Sequence, residues 1–425
     1  MNKTYKLIII GGGPAGIMSA ITAAKFKCSS VLLLEKNKSL ARKLLLTGKG
    51  RCNFTNSADI NKFVKVFEDN NHFYNSIFKN FFNLDLIDFL KTIDIYPVED
   101  SEGRIFPQEG GAELILKNLS RLLDSNKIKI SFSSHVEDIK LIDSMFCVIC
   151  RNNIIFNCRN LIIATGGLSY PSTGSTGDGY VFAKKIGHQI VKPYPSLVPL
   201  ISNNESVNLL KVISLKNIVI SVINLEKDKK KYFTRGDLIF THYGISGPAV
   251  LDISGKVYNE LYVYHNTFVS IDMIPDLSIE ILYDKFLLYR KQNSLKELKS
   301  FFKIFKIPEK IIAYILDYVL KIGAKKIANI SKSDFLNIAT IFKEFKLKIT
   351  ATEDFKKAMV TSGGISFEEI NPKTMQSLLT PGLYFAGEII EKSGPTGGYN
   401  LQKAFSTGYI AGKSAALKIL DESFV

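Results

Sequence analysis

The first apolar run of the chain, Tyr5-Lys6-Leu7-Ile8-Ile9-Ile10, is β-branched and short, the pattern of a buried strand rather than a helix. A helical stretch, Ile17 to Ala24, follows, and then a second short run, Val31-Leu32-Leu33-Leu34, that stops on Glu35. Residues 60–100 read as amphipathic helices, Asp100 to Pro107 as a turn into a short strand, and Ala112 to Leu119 as helix. Between Ile128 and Phe156 the alternation predicts an antiparallel meander of two or three strands. Asn160 to Gly167 reads as a second buried strand ending in small residues, where a ligand can lie against backbone. Ser172 to Gly179 leads into a helical run, Tyr180 to Lys185, and fits either an anion site at a helix N-terminus or a flexible turn.

From about Tyr194 the rhythm changes. Pro193, Pro195 and Pro199 mark a linker, and 197–275 read as short strands. That stretch includes a basic hairpin tip, Lys227 to Lys231, and the segment Phe240 to Ala249. Residues 278–345 read as lysine-rich amphipathic helices, with the clearest apolar face at Ile311 to Leu320. The first pattern then returns: Pro381 to Glu388 is a strand ending in glycine and an acid, Gly394 to Gln402 is glycine-rich, and a helix is expected from Lys403 to Ala416. The expected organisation is α/β, with a discontinuous domain (1–193 and 353–425) interrupted by a β-rich insert with a helical cap (194–352).

The junction after the first strand carries candidate chemistry. Gly11, Gly13 and Gly16 satisfy G-x-G-x-x-G between a strand and a helix. Gly11 allows the tight turn, Gly13 lets backbone approach a pyrophosphate, and Gly16 lets helix pack on strand. The helix N-terminus supplies N–H groups and partial positive charge. Glu35 stands 19 residues past Gly16, close to the spacing of a ribose-binding acid. An acid there favours FAD or NAD over NADP. Beyond it, Arg42, Lys43, Lys49 and Arg51 gather positive charge around Gly48 and Gly50, in a loop able to wrap a diphosphate and a flavin edge. At the other end of the chain, the strand to Glu388 and the helix start after Gly397-Gly398 match the second holder that a flavin needs and NAD does not. FAD is therefore the expected cofactor.

Composition narrows the classes further. Hydrophobic residues are 46% and charged residues 22%, an ordinary globular balance for two or three domains. No run approaches a membrane span and the first strand leaves no room for a targeting peptide, so a cytoplasmic protein is expected. Five scattered cysteines exclude a disulfide scaffold. Cys147 and Cys150 have C-x-x-C spacing inside a strand-like run, without the turn residues a redox or zinc site needs, and no metal is expected. The net charge of +15 permits a polyanionic partner, yet 47 of the 55 basic residues are lysine, a bias that an AT-rich genome also imposes.

The runs GGGPAGIMSA (11–20), LLTGKGRCNFTN (45–56), GRIFP (103–107), ATGGLSYPSTGSTGDGY (164–180), FTHYGISGPAVL (240–251) and LYFAGEIIEKSGPTGGYNLQKAFSTGYIAG (383–412) resemble those of the bacterial BaiN/RdsA-like (aminoacetone oxidase-like) FAD-dependent NAD(P)H oxidoreductases, over nearly the whole chain. The resemblance implies a GR2-type Rossmann-like FAD-binding domain with an inserted β-barrel-like and helical domain. It implies reduction of a conjugated C=C bond with NAD(P)H as transient reductant, in a uridine of 23S ribosomal RNA or its precursor, or in a small enone such as a 3-oxo steroid. An aminoketone oxidase is the alternative chemistry, and an RNA-binding protein with structural FAD the alternative outside catalysis.

The cofactor contacts expected are Gly11, Gly13, Pro14, Ala15, Gly16, Glu35, Lys36, Arg42, Lys43, Gly48, Gly50, Arg51, Cys52, Asn53, Val136, Ala164, Thr165, Gly166, Gly167, Gly387, Glu388, Gly397, Gly398, Tyr399, Asn400 and Leu401. Candidate proton donors are Cys52, His242, Tyr170 and Tyr399. Where the family pattern carries two acids before Gly-Pro-Thr-Gly-Gly, this chain has Glu391 and Ser393, a departure that bears on substrate rather than on FAD.

Overall fold

The computed structural model describes residues 3–67, 72–224 and 229–421. The chain packs as two compact units, Met1–Tyr194 with Met359–Val425, and Pro195–Ala358. Each has its own apolar core.

In the first unit, Lys3–Ile10 (β1) passes from exposed polar residues to four buried aliphatics, and Val31–Leu34 (β2) is buried throughout. Strands buried on both faces belong inside a parallel sheet. β1 lies between β2 and Ile154–Ile163, parallel to both, and Leu383–Phe385 extends the parallel set beyond Ile154–Ile163. The register aligns Ile10 with Leu34 and with Ile163, and Ile163 with Phe385. Four carboxyl ends thus finish in one row, the edge at which open α/β sheets bind ligands.

Two expectations need correction here. The strand read from Asn160 is the second half of one ten-residue strand, Ile154–Ile163. Its polar middle looks like a break, yet β1 pairs along it, with Asn160 buried opposite Leu7. The prolines from 193 do not mark a linker: Ile190–Ser196 is a strand in a two-stranded sheet with Val360–Ile365. Pro193 and Pro195 are two apart, so their missing N–H groups fall on the same side, and a strand with one neighbour has a side that needs no donors. Cys147 and Cys150 lie three apart within Met145–Cys150 and so face opposite sides of the sheet, which rules out a pair between them.

The N-terminal helix Pro14–Lys25 (α1) packs on the terminal helix Tyr399–Asp421, which starts four residues before the expected Lys403. A Cβ on Gly408 would sit 2.4 Å from the Ala15 carbonyl oxygen, and one on Gly412 would sit 2.2 Å from that of Ser19. Both helices step by four between these contacts, so they run parallel, backbone against backbone. Ser19 Oγ donates to the Gly408 carbonyl at 3.0 Å and seals the pair.

The second unit is built on a seven-stranded, antiparallel sheet. Its two end strands, Phe345–Ile349 and Ala351–Thr352, are halves of one segment, so the sheet curls toward barrel-like closure. Ser202 Oγ donates to the Lys348 carbonyl at 2.6 Å and Thr350 N to Ile201 O at 3.0 Å across that seam. The expectation of short strands over 197–275 fails twice. Ser214–Asn224 and Lys229–Phe240 are long, and Pro248–Tyr264 is a helix. Proline at the first helical position, as at Pro248, is preorganised to start a helix. Lys227 and Asp228 of the hairpin tip lie outside the described residues. The helical cap runs from Ile279–Asn293 to Lys332–Lys343, and the apolar face at 311–320 winds partly as a π-helix, Tyr314–Val319. Among the described residues, no helix is long and apolar enough to cross a membrane.

Candidate functional site

The row of strand ends opens onto the N-terminus of α1. Gly11 has φ +108°, and a Cβ there would lie 2.4 Å from the Ala164 carbonyl oxygen. At Gly16 a Cβ would lie 1.9 Å from the Gly11 carbonyl oxygen. Gly13 is the opposite case, with nothing within 4 Å of the Cβ position. α1 has no side-chain cap and no acid in its first turn, so the first-turn N–H groups that follow Pro14, which itself has none, are left without a side-chain acceptor and their dipole uncompensated. This is a cradle for an anion. Glu35 is 6% exposed at the next strand end. One oxygen accepts from Gly12 N at 2.8 Å and the other from Asn37 N and Nδ2 at 2.7 Å, which fixes the carboxylate across the glycine turn. Ser134 N donates to the Glu35 carbonyl and brings the segment to Val136 alongside. The Thr165 hydroxyl, buried beside Ala164, Gly166 and Gly167, has no partner among the described residues.

Around this edge the expected basic residues are tied down. Lys43 Nζ lies 2.6 Å from Glu388 and also donates to Ser169 Oγ. The other Glu388 oxygen accepts from Ser169 Oγ at 2.7 Å and from Thr361 N at 2.7 Å. Burial resists ionisation of Glu388, but the Lys43 ammonium and these donors hold its carboxyl below the usual range. Lys36 pairs with Asp178 at 2.6 Å and donates to Thr176, so the Ser172–Gly179 segment serves as the other half of an ion pair. Arg42 donates to Asn37 Oδ1 at 3.1 Å.

Two distant motifs meet behind these. Leu44–Gly50 is a kinked 3-10 turn with Gly48, Lys49 and Gly50 at positive φ, and Cys52 follows at φ +59°. Arg51 lies over the Phe106 ring at 4.6 Å, and Asn53 Nδ2 donates to the carbonyls of Thr55 and Ile105. Asn56 Nδ2 donates to Gly397 O at 3.1 Å, and Thr55 Oγ1 to Gln402 Oε1 at 2.6 Å. Gly398, at φ +94°, touches Thr55 so closely that a Cβ would lie 2.3 Å from its carbonyl oxygen. Asn400 closes the 394–400 loop on itself, accepting from Gly394 N and donating to the carbonyls of Gly394 and Pro395. Leu401 is half-buried beside it. Gly387, at φ +87°, has its N–H held by Thr407 Oγ1 and its Cβ position 2.8 Å from Ala15.

The helix pairing sets the scale of the site. With Ala15 level with Gly408, the terminal helix starts eight residues before α1 does, an overhang of about 12 Å at 1.5 Å per residue. Two parallel N-termini therefore face the same way, one set back from the other.

The candidate proton donors scatter. Cys52 is fully buried in the core, and burial pushes its thiol up to about 11. Tyr399 is buried at the helix start, against Phe63. Tyr170 is half-buried at φ +52°. His242 is exposed and belongs to the second unit. Sequence reasoning missed Ser169, Thr361, Thr407 and Lys403. Val360 to Gly364 ends in small residues as Ile162 to Gly167 does, which was the available signal for Thr361. Lys403 is buried, with Nζ donating to three successive carbonyls, those of Ile390, Glu391 and Lys392. Glu391 and Ser393 are likewise held, by Phe367 N and by Ser362 Oγ.

A family model described as HI0933-like protein Rossmann domain matches residues 5–414. A Haemophilus influenzae protein named ribosomal RNA dihydrouridine synthase is 33% identical, over 96% of this chain and 98% of its own. A Clostridium scindens protein named 3-dehydro-bile acid delta(4,6)-reductase is 30% identical, over 96% of this chain and 98% of its own. Among solved structures, the 3-ketosteroid-delta4-(5alpha)-dehydrogenase of Rhodococcus jostii shares the fold with a TM-score of 0.53 at 12% identity, over 97% of each chain.

Proposed function

The chain belongs to the HI0933-like Rossmann family, and from that membership we propose that it is an FAD-dependent oxidoreductase that reduces the C=C bond of a uridine in 23S ribosomal RNA, with NAD(P)H as transient reductant. The full-length match to the Haemophilus influenzae protein carries the choice of substrate. The residues present fit FAD. Gly13 leaves the space a diphosphate needs, Thr165 offers an unused buried hydroxyl, and Glu35 faces the same edge.

In this reading α1 holds the diphosphate with N–H groups and dipole, and Glu35 orients the ribose next to it. Lys43, Ser169 and Thr361 fix Glu388, which would hold the ribityl chain. The overhanging N-terminus at Gly397 to Tyr399 carries a positive potential of about half a charge and would offer it to the flavin. When bound, FAD supplies hydride transfer to an electron-poor carbon. Tyr170, a half-buried hydroxyl within a glycine-rich motif of the same unit, is preferred over the buried Cys52 and Tyr399 as proton donor to the adjacent carbon.

Dihydrouridine mapped in 23S ribosomal RNA is expected to disappear on deletion of the gene and to return on complementation. An unchanged level in the deletion strain refutes the RNA substrate. The Clostridium scindens relative favours a second reading, a small conjugated ketone as acceptor. Steady NAD(P)H oxidation driven by a 3-oxo steroid enone, with ribosomal RNA inert, would select it. Peroxide formed from an aminoketone without NAD(P)H would instead select the oxidase.

A further inference from the structure

An RNA substrate needs phosphate contacts well beyond the base that reacts, and the helical cap of the second unit carries an unpaired basic shoulder. Arg290 Nη1 and Nη2 donate to the carbonyls of Ile330 and Ala328, at 3.1 and 2.7 Å. Ala328 N donates to Ser294 O and Ile327 N to Lys296 O, both at 2.9 Å, and Leu298 N to Lys325 O at 3.2 Å. These bonds clamp the end of the helix Ile279–Asn293 against 325–330. They bring Lys291, Lys296, Lys325 and Lys326 together on adjacent segments, all four exposed.

Lysines without an ion pair are common among the described residues of this unit, Lys285, Lys306, Lys310 and Lys321 among them; what sets the shoulder apart is that four converge on adjacent segments. Lys216, Lys230, Arg235 and Lys303 each sit within 2.8 Å of a carboxylate. Among the described residues, none of the four shoulder lysines has an ion pair. The nearby exposed acids are Asp284 and Glu297. Beside Lys291 lies a shallow depression of about 790 Å³, lined by Leu287, Leu288 and Ala328 together with Arg290, Lys291, Ser294 and the acid Asp284. Its leucines offer an apolar surface for an unstacked base or ribose next to phosphates held by the lysines.

We propose that this shoulder is an RNA-docking surface, on which Lys291, Lys296, Lys325 and Lys326 hold backbone phosphates of the ribosomal RNA. The proposal rests on the RNA reading above. Fixed ammonium groups without internal partners release counterions on contact with RNA, so the signature is salt dependence: each phosphate contact adds about 0.7 to the slope of log affinity against log salt on single strands.

The test uses the FAD-loaded full chain and a fluorescein-labelled transcript of 23S ribosomal RNA, with binding read by anisotropy across a salt series. The double variants Lys325→Gln/Lys326→Gln and Lys291→Gln/Lys296→Gln replace exposed side chains and should fold. Each is expected to bind roughly tenfold more weakly, with a slope shallower by about 1.4. Anaerobic bleaching of the flavin by NAD(P)H is expected to match that of the unaltered protein. Unchanged affinity and slope in both variants overturns the surface, as does failure of the unaltered protein to bind RNA. Binding to phosphatidylglycerol vesicles in place of RNA overturns it in favour of a membrane surface. Variants that lose RNA binding, in a protein whose deletion leaves dihydrouridine unchanged, keep the surface and refute the reduction. Variants that bind RNA normally, in a protein whose deletion abolishes dihydrouridine, do the reverse.

Discussion

Replacing Gly412 by valine should pry the two chain ends apart. A Cβ at this position would lie 2.2 Å from the Ser19 carbonyl oxygen, the nearest of three backbone atoms of Ser19 within 3 Å. Nothing there is the far end of a flexible side chain, so relief requires α1 and the terminal helix to separate by about 1 Å. Overpacking of this kind costs up to about 3 kcal/mol. Valine regains only about 0.4 kcal/mol over glycine in helix propensity, leaving a net loss of roughly 2–3 kcal/mol. At about 2–4 °C per kcal/mol, the melting temperature should fall by about 5–10 °C. Leu417→Val, on an exposed position of the same helix, is the control for introducing a β-branched residue. Because the separation moves one N-terminus against the other, FAD affinity measured by flavin fluorescence should also fall, by about tenfold. A Gly412→Val protein that melts with the control and holds FAD as tightly as the unaltered protein would refute the close parallel packing.

Glu35→Gln puts an NH₂ group where one of two accepting oxygens stood, leaving Gly12 N or the Asn37 donors unsatisfied. FAD binding by calorimetry should weaken by about 1–3 kcal/mol, and an unchanged isotherm would count against its role. Lys43→Met removes the cation that keeps the Glu388 carboxyl below its usual range. The lost stability, about 2 kcal/mol, should be fully present above pH 4.5 and vanish as pH falls and the carboxyl protonates in both proteins; a difference independent of pH would contradict this. Burial brings Lys403 down to about 7, against the pull of the Glu388 and Glu391 carboxylates. A lysine whose value is lowered in the folded state costs stability in full below pH 7, and the cost fades as pH rises toward 10.5. The melting temperature of the unaltered protein should therefore climb relative to Lys403→Met between pH 7 and 9.5, and parallel curves would show that Lys403 keeps its ordinary value despite burial.

The opening β1–α1–β2 unit was legible because each signal is local: the apolar runs, the glycine spacing and Glu35 all lie within a few turns of chain. What escaped was set by distant partners. Asn157 to Asn160 carries the polarity of a turn, and pairing with Thr4 to Leu7 on one side and with Phe146 and Cys147 on the other keeps it a strand. Pro248 to Tyr264 hides a helix behind Gly-Pro, because helix-starting and turn-making proline look alike in sequence. At the site, Gly11 and Gly16 are places of close backbone approach, as their spacing suggests, whereas what the more distant glycines meet could not be read. That Gly398 meets Thr55, or that Lys43 is spent on Glu388, depends on side chains hundreds of residues apart. The basic residues counted as free phosphate ligands are for that reason largely committed to internal pairs.

The bond from Ser19 to Gly408 spans 389 residues, and this imposes a timetable. At roughly 5–20 residues per second, α1 leaves the ribosome about 20–80 s before its partner helix exists. Through that interval the strand Ile154–Ile163 lacks Leu383–Phe385, and the face of α1 that receives Gly408 and Gly412 is bare. The entropy of closing so long a loop is no obstacle, since folding the intervening unit first changes it by only about 0.5 kcal/mol. The exposure is one of time. The strands and core of the inserted unit lie within 195–358 and can form while the first unit waits. The nascent chain should thus lean on chaperones over its first unit, and acquire its cofactor as the terminal helix docks.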